Sequence, residues 1–445
     1  MSTLLISRDD EKEVKAMDPT LVIVELQRCS VYTEFTRYVI VNRISTTLAS
    51  VVYSAVVRPD HRTRVAIKEL DQVFRTQLHA TRVWREIVAL RLFGTHPFIV
   101  SLLQVERPLK PMATFDQLQL VFPHASTTLF TLFHDRSVIL STAQVRKYLY
   151  QMLCAVNYIH SAKWMHRDLK LANFLVNDKG DLEMADFGHA RPFDLLPGLP
   201  EDVTTGFAHR RVEQINPTPT HLRQRSAHVA TRTYRAPEII LRSKTYGPEM
   251  DMWSVGCLFG DLLQMQQAGK RTVLFPSQSC YPFTTDHSDD AYAPTDQLHS
   301  IFRVIGTPTT STDLASITNE QAREFVDDLE VYPATDLHKR FPLAEESGLD
   351  LLKALITFDP ERRITALQAL HHPFLASVSD EAKGMSFTLP ADTKSLSLLY
   401  RYEFELEAQA AWVSTPLIPN NFPMFNTALI REGLSLEWKK DGEGR

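Results

Sequence analysis

The stretch MHRDLKLANFLV carries His166, Arg167, Asp168, Lys170 and Asn173, and thirteen residues past the asparagine come Asp186, Phe187 and Gly188. An acid, an ammonium two residues on, and an amide and a carboxylate with hard oxygens suit the transfer of a phosphoryl group. That reaction needs an aligned hydroxyl nucleophile and neutralised charge on oxygens, and a protein contributes mostly position and electrostatics to it. Asp168 is the candidate to orient or accept the hydroxyl proton and Lys170 to reach the γ-phosphate, with Asn173 and Asp186 as ligands for Mg2+. Upstream, Val65-Ala66-Ile67-Lys68 ends on a lysine and Glu86 follows in a helical pattern; downstream lies Ala236-Pro237-Glu238. Singly these are weak signals, since a lone Asp-Gly is usually a turn and a lone Lys and Glu usually a solvated pair. Their joint occurrence in this order is a strong one.

The elements that must position these groups follow from hydrophobic periodicity. The β-branched run from Tyr38 to Val57 reads as two strands around a turn, TRVAIKEL as a third and LQLVF as another, which makes a small β-rich lobe. Between them RVWREIVALRLF places Val83, Ile87 and Leu90 at helical spacing, with Glu86 among them. After about residue 126 the pattern turns helical, most clearly at Val145, Leu149, Met152, Val156 and Ile159. Two stretches rich in Pro, Thr, Arg and Ser, roughly 192–226 and 276–295, read as surface insertions.

Bulk properties narrow the function classes. The 445 residues are 44% hydrophobic, enough for a core of ordinary size, and the formal net charge of −5 gives no broad cationic field. No nucleic-acid or membrane partner is expected. Cys29, Cys154, Cys257 and Cys280 are widely spaced, without a CxxC pair, which fits reduced thiols inside a cell. The opening MSTLLISRDDEKEVK meets acids too early for a signal peptide, and no run of about eighteen apolar residues occurs.

Taken together, these motifs resemble those of eukaryotic protein kinases of the proline-directed (CMGC) branch, and VATRTYRAPEIIL, DMWSVGCLFGDLL, DQLHSIFRVIGTP and ALHHPFL resemble MAP kinases most closely. The resemblance implies an α+β, bilobal protein kinase fold with a small β-rich N-lobe and a larger, mainly helical C-lobe. It implies an N-terminal extension (1–35), a kinase domain (36–375, dividing near 124/125) and a C-terminal tail (376–445) that returns along the N-lobe. The implied activity is transfer of the γ-phosphate of Mg-ATP to Ser or Thr, preferably before Pro, in protein substrates. In this reading Lys68, kept in place by Glu86, holds the α- and β-phosphates. Ile44, Val52, Ala66, Phe122 at the gatekeeper, Pro123 and Ala125 line the nucleotide pocket. Arg235 and Thr231 belong to the substrate pocket, and Arg363 partners Glu238. An upstream activating kinase, a monomer and an intracellular location, cytoplasmic and/or nuclear, are expected. A cyclin partner is disfavoured because TRVWREI lacks the usual cyclin contact.

Three departures from the family pattern stand out. Ser45, Thr47 and Ser50 occupy the places of the phosphate-loop glycines, which lets a non-catalytic signalling scaffold, a pseudokinase, stand as the alternative. The Thr-x-Tyr activation motif is replaced by Ser226-Ala227-His228, so activation is expected at Ser226 alone, its phosphate received by Arg85, Arg167 and Arg191. The segment from Asp186 to Glu238 is also longer than the family norm, either a loop that bars the substrate site or a tolerated insertion.

Overall fold

The computed structural model describes residues 37–47, 50–73, 77–106, 117–194, 231–241, 243, 246–277, 297–317 and 319–378. Ser226, most of the long segment after Asp186, the N-terminal extension and the tail beyond residue 378 lie outside the described residues. The chain divides into two compact units, the first holding residues up to 84 and 101–124, the second 85–100 and 125–401.

The first unit is a five-stranded antiparallel sheet in the order β1-β2-β3-β5-β4, comprising β1 (Tyr38–Thr46), β2 (Ser50–Val57), β3 (Arg64–Leu70), β4 (Gln104–Glu106) and β5 (Leu118–Pro123). Valines and isoleucines dominate these strands because branched side chains fit a pleated, half-buried surface. Alternation sends Ala55, Val65, Ile67 and Val121 to one face, where they pack with Tyr38. The opposite face carries Ala66 and Lys68, and the register sets Val52 and Leu120 beside Lys68, with Ser54 and Phe122 beside Ala66. The hairpin of β1 and β2 slips register between Arg43 and Ser45, leaving Ile44 as the extra residue, half exposed at 51%.

Helix α1 (Gln77–Phe93) runs from one unit into the other, the division falling between Trp84 and Arg85. In the second unit come β6 (Thr127–Thr128), α2 (Leu129–His134) and α3 (Thr142–Ser161). Helix α3 starts at a capping box in which Ser141 Oγ accepts from Gln144 N–H and the Gln144 side chain accepts from Ser141 N–H. Two small ribbons follow, one pairing β7 (Trp164–Met165) with β10 (Arg191–Pro192), the other ordering β6, β8 (Phe174–Val176) and β9 (Leu182–Met184). These strands are two or three residues long, too short to show a period in the sequence, yet they frame both catalytic segments.

After α4 (Pro237–Ile240), helix α5 (Glu249–Gln264) forms the centre of the unit, buried from Met250 to Leu263. It comes so close to α6 (Glu346–Leu355) that a Cβ at Gly256 would lie 2.7 Å from Ile356 Cγ2 and 3.0 Å from Leu355 Cβ. Glycine is required there for packing alone. No helix among the described residues is long and apolar enough to cross a membrane.

Candidate active site

Asp251, fully buried on α5, is the post on which the catalytic segment hangs. Its Oδ2 accepts from His166 N–H (2.8 Å) and His160 Nε2 (3.0 Å), and its Oδ1 accepts from Arg167 N–H (2.8 Å). Burial pushes the Asp251 carboxyl up, but the bonds from His160 and Arg167 and the nearby His166 bring it below its ordinary value, so it is charged. Those bonds hold Arg167 at φ 68°, a left-handed conformation that a side chain ordinarily avoids.

His166 joins the two catalytic strings. Its Nδ1 accepts from Asp168 N–H (3.3 Å) and its Nε2 lies 3.1 Å from Ala185 O, which can only accept, so the proton sits on Nε2. Complete burial lowers its pKa in spite of three nearby aspartates, in keeping with a neutral ring. Asn173 makes the second link: Nδ2 donates to Asp168 O (2.8 Å) and its main-chain carbonyl accepts from Ala185 N–H (2.8 Å). Phe187 is fully buried, its ring 5.0 Å from His166 and 6.1 Å from Phe93.

The Asp168 side chain is held from both sides. Oδ1 accepts from Thr231 N–H (3.1 Å) and Thr231 Oγ1 (2.9 Å), and Oδ2 accepts from Lys170 Nζ (2.7 Å). Three donors hold this buried carboxylate in a fixed plane. Asp186 takes the left-handed conformation at φ 64°. A Cβ built on Gly188 would lie 3.6 Å from both Asp186 Oδ1 and Glu86 Oε2, so two carboxylates converge on one side of that glycine, where a cation is favoured.

Asp186 and the Asn173 amide fit magnesium, because both offer hard oxygens, and Asn173 spends its nitrogen on Asp168 O. Among the described residues no group of three or more His, Cys, Asp or Glu side chains forms a metal cluster. In the first unit, the face shared by Val52, Ala66, Phe122 and Lys68 offers apolar surface for a base next to an ammonium for phosphate. Pro123 ends β5 opposite Val65 in that unit, and Ala125 belongs to the second.

Arg167 is buried and its Nε donates to His189 O (2.7 Å), its Nη1 to Tyr246 OH (3.2 Å). Burial chiefly, and then the positive charges of Arg85 and Arg191, lower its pKa to about 10 although Tyr246 acts to raise it. Arg85 and Arg191 therefore each lie near Arg167. Arg363 meets Glu238 in a buried two-pronged pair (2.8 and 3.0 Å) and also donates to Thr357 O, Glu249 O and Phe358 O.

A family model described as a protein kinase domain matches residues 38–375. The chain belongs to the protein kinase family. Among kinases it is similar to mitogen-activated protein kinase 5 of Oryza sativa subsp. indica, 34% identical over 331 residues that cover 74% of this chain and 76% of that relative. Mitogen-activated protein kinase 6 of Arabidopsis thaliana is 32% identical over 363 residues (81% and 76%). Extracellular signal-regulated kinase 2 of Dictyostelium discoideum is 33% identical over 352 (79% and 82%). The chain is thus a serine/threonine protein kinase of the MAP kinase type.

Within this kinase, sequence reasoning missed several supports of the site. Thr231 was expected only at the substrate pocket, whereas it grips Asp168 directly. Tyr234 OH donates to the buried Asp261 (2.9 Å), and His160 and Tyr246 brace Asp251 and Arg167. Such partners lie 79 to 91 positions apart for Tyr246 and His160, so no local pattern announces them. Arg235 is buried at 7% exposure next to Tyr234.

Proposed function

We propose that this kinase transfers the γ-phosphate of Mg-ATP to serine or threonine hydroxyls followed by proline, with Asp168 as the group that takes the hydroxyl proton. The observation that carries the reading is the grip on Asp168: one oxygen fixed by Thr231 and the other by Lys170, with Asn173 bonded to its main chain. A carboxylate so held can orient a nucleophile without reorganising, which is where phosphoryl transfer gains most. Lys170 balances the charge of Asp168 and reaches toward the phosphoryl oxygens. Lys68 takes the α- and β-phosphates, assisted by Glu86, and Ile44, Val52, Ala66, Phe122, Pro123 and Ala125 enclose the base. Magnesium, held by Asn173 and Asp186, supplies charge neutralisation on the phosphates.

The geometry favours catalysis over a scaffold role, because a scaffold has no use for a carboxylate, an amide and an ammonium locked in register. Phosphorylation of Ser226 by an upstream kinase would bring about −1.5 to −2 charge to Arg85, Arg167 and Arg191, relieving the repulsion between cations that adds to burial in depressing Arg167. Arg235 and Thr231 bound the site that reads the residue after the acceptor. The test is a pair of peptides differing only in Ser-Pro or Ser-Ala, offered to protein phosphorylated at Ser226. A kcat/KM at least about tenfold higher for Ser-Pro is expected, a gap of the size one pocket contact gives. Equal values contradict the proline preference, and a Ser226→Ala protein as active as the phosphorylated one contradicts the switch.

A further inference from the structure

The hairpin that lacks glycine is closed by hydroxyls instead. Strand β1 ends at Thr46, β2 begins at Ser50, and Thr46 pairs with Val51. Just beyond, Thr47 N–H donates to Ser50 O (2.8 Å) and Ser50 N–H donates to Thr47 Oγ1 (3.1 Å). Thr47 Oγ1 also lies 3.2 Å from Ser50 O and 3.0 Å from Ser50 Oγ. Four short contacts thus tie two residues that stand where glycines would offer amide donors to phosphate.

Glycine serves such a loop in two ways: it lets a ligand approach the backbone, and it has no side chain to compete for the backbone donors. Ser and Thr do the opposite, since their hydroxyls are built to satisfy nearby main-chain groups. Here that competition is won locally. A donor already satisfied gains little by exchanging one acceptor for another, and exchanging it breaks the turn it holds.

Resting on the ATP reading above, we propose that the Thr47 hydroxyl, with Ser50 Oγ beside it, forms a clasp that keeps the Ser50 amide inside the hairpin, while the Thr47 amide is held by its main-chain bond to Ser50 O, so that the kinase holds the triphosphate without these two donors. The phosphate grip then falls to Lys68 and to the groups that ligate magnesium, and the clasp sets how much tighter Mg-ATP binds than adenosine.

The test uses the full chain and two variants. Thr47→Val keeps the branched shape and removes Oγ1, and Thr47→Ser keeps the oxygen. Without nucleotide, residue-resolved amide exchange should be faster at Ser50 in Thr47→Val than in the wild type, and unchanged in Thr47→Ser. With nucleotide, Mg-ATP should leave the Ser50 amide of the wild type unprotected beyond its starting level but protect it in Thr47→Val. Direct binding measurements should then show Mg-ATP tightened by up to roughly tenfold in Thr47→Val, with adenosine unchanged, as one recovered bond to a charged group allows. The proposal is overturned if Ser50 exchanges alike in wild type and Thr47→Val, if Mg-ATP protects Ser50 in the wild type, or if Thr47→Val weakens Mg-ATP but not adenosine. Should neither adenosine nor Mg-ATP bind the wild type, the ATP reading fails, and the nucleotide-free comparison decides the clasp by itself.

Discussion

Asp168 draws its orientation from a threonine 63 positions away, and under the proposed function the Thr231 bond would tie acceptor recognition to proton transfer. A hydroxyl that steadies the catalytic carboxylate acts after substrate has bound. Thr231→Val should lower kcat by about tenfold or more and leave KM for ATP unchanged, while Thr231→Ser restores most of the rate. A rise in KM for ATP with kcat intact would show that the bond serves nucleotide binding instead. A second carboxylate tests the packing beneath. Asp261 is completely buried, and burial raises its pKa to about 7 in spite of donors from Tyr234 and Leu274 N–H and the charge of Arg340. Its folded pKa lies above the unfolded one, so the folded state keeps a proton that the unfolded chain sheds. The stability from this group is complete at pH below about 4 and is lost as the pH rises through 7. Urea unfolding at pH 5 and pH 7.5 should therefore show Asp261→Asn gaining on the wild type as the pH rises, and parallel curves would refute it.

Elements differ in how openly the sequence declares them. The strands of the first unit and helix α3 were legible because β-branched runs and the spacing of Val145, Leu149, Met152, Val156 and Ile159 outweigh other signals. Helix α1 extends to Gln77, a turn before the segment that periodicity picked out, since Gln77, His79 and Thr81 interrupt the apolar stripe there. Helix α5 is buried all round, which periodicity cannot show, yet it carries Asp251, the anchor of the catalytic segment. What fixes the end of α4 relative to α5 is the Arg363 pair with Glu238, one partner wholly enclosed and the other 6% exposed at its side chain. Breaking it leaves an uncompensated buried carboxylate. Arg363→Met should cost about 3–5 kcal/mol in denaturant unfolding, and Arg363→Lys should recover only part, because an ammonium cannot match a carboxylate on two prongs. An unchanged midpoint for Arg363→Met would show the pair to be energetically idle.

In the whole molecule, the motif order disclosed the family and the chemistry, while the supports of the site emerged only in three dimensions. His166, Asn173 and Asp251 were legible as motif members, but that Asp251 holds two main-chain amides and that Asn173 bonds to Asp168 O are facts of folding. The hairpin shows the converse. Its sequence signalled a loosened phosphate clamp, and its structure shows Ser50 N–H bonded to Thr47 Oγ1 and Thr47 N–H to Ser50 O. The stretch 85–100 groups with the second unit, although it lies between strands of the first in the sequence.

The most direct trial of the account is the transfer of labelled γ-phosphate from Mg-ATP to a generic protein substrate rich in Ser-Pro, by the protein phosphorylated at Ser226. The wild type should transfer label, and Asp168→Asn should reduce the rate by about 10²–10⁴, the range a general base contributes. Equal transfer by the two proteins, or none by the wild type above the Asp168→Asn background, would contradict it.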